Sequence, residues 1–214
     1  FTVDAGHVNL RNDGYQDVLS VPTFPLPAAP DPSRNIAQPW TRYDTISTYG
    51  MAKAEWQFAD GWRLEGGVLK AKVEQPYFGG ALVNIVNPAG DATQDPGWCD
   101  PCDRDTLSMR AAVSGRFRTG PLTHDLVVSG RRDRIEETYV FNSYDLSAFG
   151  GPLRTNIYRP VYYPEPPRIV PGNMGGQDAR LQTVQLTDFI GLGRYFTLMA
   201  GIGRVGIEER LNAY

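Results

Sequence analysis

The chain has 214 residues, a formal net charge of −3 and a hydrophobic content of 41%, enough length for one large or two small domains with a buried core. Its mean hydropathy is negative and no run approaches the ~20 apolar residues of a membrane-spanning helix. Helical spans are therefore excluded, but a barrel is not, because alternating strands leave only a weak hydropathy signal. The small charge and the lack of a basic run exclude a nucleic-acid binder that follows a phosphate backbone.

Seven strands are predicted in chain order. The first covers 1–10. The second, 43–58, sets Thr48, Gly50, Ala52, Ala54, Trp56 and Phe58 against Tyr49, Met51, Lys53, Glu55 and Gln57, because successive strand side chains alternate between faces. The third, 62–75, begins with Trp62, Leu64, Gly66 and Val68 outward, and then its apolar phase slips to Leu69, Ala71 and Val73. A β-bulge near Gly67 or the end of membrane exposure accounts for the slip. The fourth and fifth form a hairpin over 106–141 with the clearest alternation in the chain. There Leu107, Met109, Ala111, Val113, Gly115 and Phe117 oppose Ser108, Arg110, Ala112, Ser114, Arg116 and Arg118. The sixth, 180–192, keeps Val184, Leu186, Ile190 and Leu192 in phase with Asp188 as an exception. The seventh, from 196 to about 209, aligns Phe196, Leu198, Ala200 and Ile202.

Short connections (59–61, 119–123, 193–195) alternate with long ones (11–42, 76–105, 142–179). Loops of that length are uncommon in soluble domains, whereas outer-membrane barrels combine short periplasmic turns with long extracellular loops. Of 17 prolines, 16 fall in the long loops and Pro121 in a tight turn, as expected of a residue that cannot donate to a β-ladder. Trp56, Phe58 and Trp62 bracket the first tight turn, Phe117 precedes the second, and Tyr195 and Phe196 flank the third; aromatic rings at the rim of an apolar band match an interfacial girdle. The fold expected is all-β, an antiparallel up-and-down transmembrane β-barrel segment of about seven strands.

Both cysteines lie in Trp98-Cys99-Asp100-Pro101-Cys102. They cannot complete a zinc site, since His7 and His124 are distant in sequence. A loop disulfide in an oxidising compartment is favoured over a reduced, inert pair, and a redox-active pair is disfavoured for want of a βαβ pattern. No nucleophile elbow, phosphate-binding loop or zinc-protease signature is present, so no catalytic residue is assigned and the chain reads as a non-enzyme. His124 reads as a turn or rim histidine.

Several passages resemble the barrel domain of TonB-dependent siderophore receptors. They are Glu55-Trp56-Gln57-Phe58-Ala59-Asp60-Gly61-Trp62-Arg63-Leu64, Phe117-Arg118-Thr119-Gly120 with His124-Asp125-Leu126, Asn156-Ile157-Tyr158-Arg159-Pro160-Val161, Leu186-Thr187-Asp188-Phe189, and Leu198-Met199-Ala200-Gly201-Ile202-Gly203-Arg204. They occur in the family's order and span nearly the whole chain. The resemblance implies that residues 1–214 are a partial barrel domain from the bacterial outer membrane, with the plug and the remaining strands outside the excerpt. It further implies a ferric siderophore as ligand, outer-membrane lipid around the wall, and the TonB complex as a partner through the plug. The iron stays within its chelator, so no cofactor and no metal ligand is expected.

On this reading Lys53, Glu55, Arg63, Glu65, Arg110, Arg116, Arg118 and Arg131 face the lumen and its plug. The aromatic residues at the opposite mouth, Tyr77, Phe78, Trp98, Tyr139, Phe141, Tyr158, Tyr162 and Tyr163, are the candidates for siderophore contact, set against the alternative that they pack the loops together. A passive porin or autotransporter-type barrel and a soluble β-sandwich binding module remain as other readings of the same alternation.

Overall fold

A computed structural model describes residues 1–14, 19, 20, 24, 25 and 27–213, side chains excepted at 19, 20, 170–173 and 213; part of the predicted loop 11–42 lies outside these residues. The strands are β1 (Thr2–Asp13), β2 (Leu19–Ser20), β3 (Arg42–Ala59), β4 (Trp62–Ile85), β5 (Asp91–Thr119), β6 (Leu122–Tyr144), β7 (Leu153–Asn156), β8 (Arg168–Leu192) and β9 (Phe196–Ala213). Seven of them form one antiparallel wall in the order β1-β3-β4-β5-β6-β8-β9; β7 adds to the upper part of β5, and the two residues of β2 run parallel to β4.

The tight turns fall where they are expected, after Ala59, Thr119 and Leu192. The long connections do not stay loops. β4 continues past Gln75 to Ile85 and returns from Asp91, so most of the predicted loop 76–105 is a hairpin arm. Likewise β6 runs on to Tyr144 and β8 starts at Arg168, which leaves little more than 145–167 of the third loop.

Four prolines expected in loops therefore lie within strands. Pro76 and Pro101 sit where the β4–β5 ladder breaks off between Glu74↔Asp103 and Phe78↔Cys99. Pro171 sits in the matching break between Phe141↔Asn173 and Ser143↔Ile169. Pro96 lies where the far neighbour of β5 changes from β7 to β6. Each occupies a place where the missing N–H leaves no ladder bond unmade. Proline density thus marked interruptions in strands rather than the strands' absence.

No bulge occurs at Gly67. The ladder runs through Lys53↔Gly67↔Arg110↔Arg131 without a shift, and the irregularities of the β3–β4 pair lie at Asp44/Ile46 and Gln57/Ala59. Register instead shows why the apolar phase slips. Cross-strand partners share a face, so Trp56↔Leu64↔Val113↔Val128↔Leu186↔Ile202 is one apolar row. Ala52↔Val68↔Met109 lies four residues higher on each strand and continues to Arg132 on β6. The same face turns charged at staggered heights, at Arg204 in the row of Ala111 and Val184, at Arg132 in the row of Met109, and at Lys70 and Arg180 in the row of Leu107, while the opposite face gains Leu69, Ala71, Leu181 and Ile207.

From Leu107 to Phe117 is ten residue steps (117 − 107). At about 3.3 Å per residue that is about 33 Å of strand, or about 25 Å when tilted by ~40°, the height of the lipid-facing band of a membrane barrel. The band is not covered by other parts of the chain: Met109 is 48% and Ile202 76% exposed. At the turn end it closes with a row of rings, Trp56–Phe58–Trp62–Phe117–His124, with successive centroids 5.7, 6.4, 6.3 and 4.7 Å apart. Trp62 lies flat over Gly115, whose missing Cβ leaves room for the ring. Asp188, out of phase in the sequence, is answered here: His124 Nδ1 lies 2.7 Å from its Oδ2, and His124 Nε2 lies 2.7 Å from Thr119 Oγ1.

Arginine at Val113 would place a charge within the apolar band. We expect Val113→Arg to lower stability in lipid vesicles by about 2–4 kcal/mol, while Ala112→Arg on the opposite face is tolerated. Denaturant titration of refolded protein measures both; equal losses would reverse the assignment of faces.

Candidate functional site

The wall has little core of its own; the fully buried side chains collect in the arm above it. Ile36, Val83, Ile85, Ala92 and Ile157 form an apolar cluster against which Phe24 and Tyr158 pack. The arm's turn is built by side-chain amides. Asn87 Oδ1 accepts the backbone N–H groups of Ala89 (3.0 Å) and Asp91 (3.2 Å), and Gly90 takes φ 83°, which favours glycine. The Asp91 carboxylate accepts the amides of Asn87 and Asn156, each at 2.8 Å. These two bonds favour its charged form and hold Asp91 below the usual aspartate range.

Beneath this cluster lies a buried pair of glutamines. Gln38 Nε2 donates to Gln94 Oε1 and to the carbonyl of Val161 (3.0 Å), Gln38 Oε1 accepts Tyr163 N–H (2.8 Å), and Gln94 Nε2 donates to Ile36 O (2.6 Å). Three separated segments, 36–38, 94 and 161–163, are thereby fixed to one another.

Next to it is an aromatic and cationic cluster. Tyr77 and Trp98 are buried. The guanidinium of Arg42 lies 4.5 Å from the Tyr77 ring centre, and that of Arg168 lies 4.8 Å from Tyr77 and 4.9 Å from Trp98. Tyr77 and Tyr144 share a hydroxyl hydrogen bond of 3.2 Å, and Trp40 packs on Tyr144 with centroids 5.1 Å apart. Burial first, then the Tyr77 bond, raises the Tyr144 phenol far above its ordinary range, so it stays neutral. Trp98 Nε1 is buried without a hydrogen-bond partner. Each guanidinium also has a carboxylate partner, Arg42 with Asp44 at 2.9 Å and Arg168 with Glu165 at 2.8 Å, so the cluster sets an unpaired donor beside ion-paired cations and two rings.

The predicted contact residues fall into three groups. Tyr77 and Trp98 belong to this cluster. Tyr158, Tyr162 and Tyr163 use their hydroxyls as loop ties, donating to the carbonyls of Ala28 (2.6 Å), Asn35 (2.8 Å) and Arg154 (2.7 Å). Tyr139 and Phe141 stack at 5.2 Å beside a cavity of about 450 Å³, bordered also by Tyr43, Gln75, Cys102 and Arg104. Tyr139 lies over Gly175, where a Cβ would collide with its ring. Phe78 packs edge-on against Tyr43 at 5.2 Å. Cys99 and Cys102 are joined by a disulfide with Cα atoms 5.7 Å apart, closing the ladder break that contains Pro101.

Lys53, Glu55, Arg63, Glu65, Arg110, Arg116, Arg118 and Arg131 share the face opposite the apolar band. Several are neutralised in place: Arg63 by Glu55 (3.2 Å), Arg116 by Asp125, and Arg131 by Asp133 (2.8 Å). Sequence reasoning did not single out Gln38, Gln94, Arg42, Arg168 or Tyr144. Nothing in the local pattern marks a glutamine as buried, and the arginines meet Tyr77 only through register.

Fold and site define a class: an open segment of a membrane-type barrel wall, with short turns at one end and a packed hairpin arm at the other. No protein-family model matches the chain. A curated relative, the ferrichrome receptor FcuA of Yersinia enterocolitica, is 27% identical over 135 residues, 63% of this chain and 17% of that protein. Among solved structures, the ferric preacinetobactin receptor BauA of Acinetobacter baumannii superposes with a TM-score of 0.84 at 21% identity, over 98% of this chain and 31% of that one. The ferric-catecholate import receptor Fiu of E. coli K12 gives 0.74 at 14% identity, over 99% and 32%. The chain therefore spans about a third or less of the receptors it matches. Sequence likeness and fold agree: the chain is similar in sequence to part of a ferrichrome receptor and has the fold of part of the receptor barrels it superposes on.

Two outcomes test the arm. Gln38→Leu orphans the Tyr163 N–H and Gln94 Oε1, at about 1–3 kcal/mol per unsatisfied group, and amide exchange at Tyr163 should accelerate accordingly. Because the Asp91 pKa is lowered in the fold, its contribution is complete above the ordinary aspartate value and is lost as pH falls through the depressed one. Protection at Gly90 and Tyr158, taken relative to the intrinsic exchange rate, should therefore fall on acidification, and Asp91→Asn should remove that dependence.

Proposed function

We propose that the full-length protein is an outer-membrane receptor that binds a ferric siderophore at the arm end of its barrel. It imports the ligand with energy passed by TonB through a plug domain. The observation that carries this reading is the match of the whole described wall to siderophore-receptor barrels, TM-score 0.84 over 98% of the chain. The ferrichrome receptor relative supports it from sequence. The ligand meets Tyr77, Trp98, Tyr139 and Phe141, with the ion-paired Arg42 and Arg168 beside them. Tyr158, Tyr162 and Tyr163 hold the loops around it. Iron travels inside the chelator, and the protein supplies rings and donors rather than metal ligands. The face carrying Lys53, Glu55, Arg110, Arg116, Arg118 and Arg131 lines the lumen and meets the plug.

The test is uptake of radioactive iron by cells expressing the full-length protein, supplied with one ferric siderophore at a time. Uptake that depends on the protein and on TonB is expected for at least one chelate. Uptake that persists without TonB would instead indicate a passive barrel, and the absence of membrane association would remove both readings.

At the site, Trp98→Phe keeps the ring and deletes the unpaired N–H. Loss of one hydrogen bond of about 1 kcal/mol should weaken ferric-siderophore binding about fivefold in a fluorescence-quenching titration. Unchanged affinity would take the Trp98 donor out of the contact.

A further inference from the structure

We propose that Arg132, Arg134, Arg180 and Arg204, on the outer face of the wall, form a binding site for the phosphate of an outer-leaflet lipid headgroup. Register brings them together from three adjacent strands. Arg132 pairs with Gln182, Arg134 with Arg180, and Arg204 with Val184, so the four surround Gln182. Cross-strand neighbours on one face stand about 5 Å apart and diagonal ones about 7–8 Å, within the span of guanidinium groups around one phosphate.

The charges do not cancel. Arg134 is bound by Glu136, and Arg180 meets Glu208 only at 3.9 Å. Among the described residues Arg132 and Arg204 have no acidic partner. Four cations against two anions leave a net charge of +2. On the inner face Arg63, Arg116 and Arg131 pair with carboxylates of that face, while among the described residues Arg110 and Arg118 have no acidic partner. Gly206, across from Gln182, adds no side chain, and a cavity of about 480 Å³ opens there, bordered by Arg180, Gln182, Val184, Arg204 and Glu208.

Height selects the occupant. The cluster occupies the first three rows above Val128, Leu186 and Ile202, with Arg204 in the row of Val184, at the upper edge of the apolar band. A phosphate held by the planar, bidentate donors of arginine would leave its acyl chains lying down the wall along those residues. A soluble anion would match only the upper half of this surface; a phosphorylated lipid matches both.

The experiment uses the full-length protein in phosphatidylcholine vesicles doped with either phosphatidic acid or diacylglycerol, with co-purified lipid measured by native mass spectrometry. Phosphatidic acid should be retained in preference to diacylglycerol. At roughly 1 kcal/mol per basic residue near the surface, Arg132→Gln with Arg204→Gln should weaken retention by about tenfold or more. The double lysine variant should keep most of it, and Arg110→Gln with Arg118→Gln on the inner face should change nothing. Equal retention of the two lipids, or no loss in the double glutamine variant, would overturn the proposal. So would inorganic phosphate competing as strongly as the lipid, which would reassign the site to a soluble anion. The proposal rests on the outer-membrane reading. Recovery of the protein without detergent would sink that reading itself, whereas a membrane-embedded protein without lipid preference would sink this proposal alone.

Discussion

A sheet one layer thick has no interior, and that constraint governs the rest of the molecule. The wall from β1 to β9 satisfies its backbone groups laterally, through ladders that run unbroken for most of each strand, which is the condition for backbone to stand in hydrocarbon. Neither face can then be buried by the chain itself, so each must suit whatever lies against it. Because cross-strand partners share a face, that suitability is decided row by row. Trp56, Leu64, Val113, Val128, Leu186 and Ile202 come from six strands and form one row of uniform character.

The arm obeys different rules because it must hold a shape in water. There the chain builds a small core around Val83, Ile85 and Ile157 and ties its segments with buried polar groups whose partners are fixed. The Gln38–Gln94 pair joins stretches more than 120 residues apart in sequence. The disulfide joins Cys99 to Cys102 within β5, across the irregularity that carries Pro101. A rigid arm of this kind can present Tyr77, Trp98 and Phe141 with their surroundings already set, which lowers the ordering cost of binding.

The wall was legible in the sequence because its determinants are local. Alternation from Leu107 to Phe117 depends only on strand geometry, and the rings at Trp56, Trp62 and Phe117 announce the rim wherever the strands turn. The arm was not legible, for two reasons. Prolines count against strands in a sequence, yet Pro76, Pro96, Pro101 and Pro171 occupy breaks that no single-strand pattern reveals. The arm's contacts are also long-range: Arg42 and Arg168 reach Tyr77 through ladders whose register cannot be known before pairing is. Among the predicted mouth residues, Tyr158, Tyr162 and Tyr163 look alike in sequence to Tyr77 and Tyr139, and only their partners distinguish a loop tie from the buried Tyr77 and from Tyr139 at the cavity edge.

The phase slip on β4 joins these threads. With a continuous ladder through Gly67, Leu69 and Ala71 are on the inner face, and Lys70 is on the outer face with Val68. The same exchange of polarity recurs at Arg132 on β6, at Arg180 on β8 and at Arg204 on β9. A bulge would alter one strand. A change of surroundings alters neighbouring strands at nearby rows, and strand tilt staggers the level from one strand to the next. Four strands changing within three adjoining rows fit such a boundary. On the proposed outer-membrane reading it is the upper limit of the hydrocarbon, with the charges above it in the headgroup region and the apolar residues opposite them on the lumenal side.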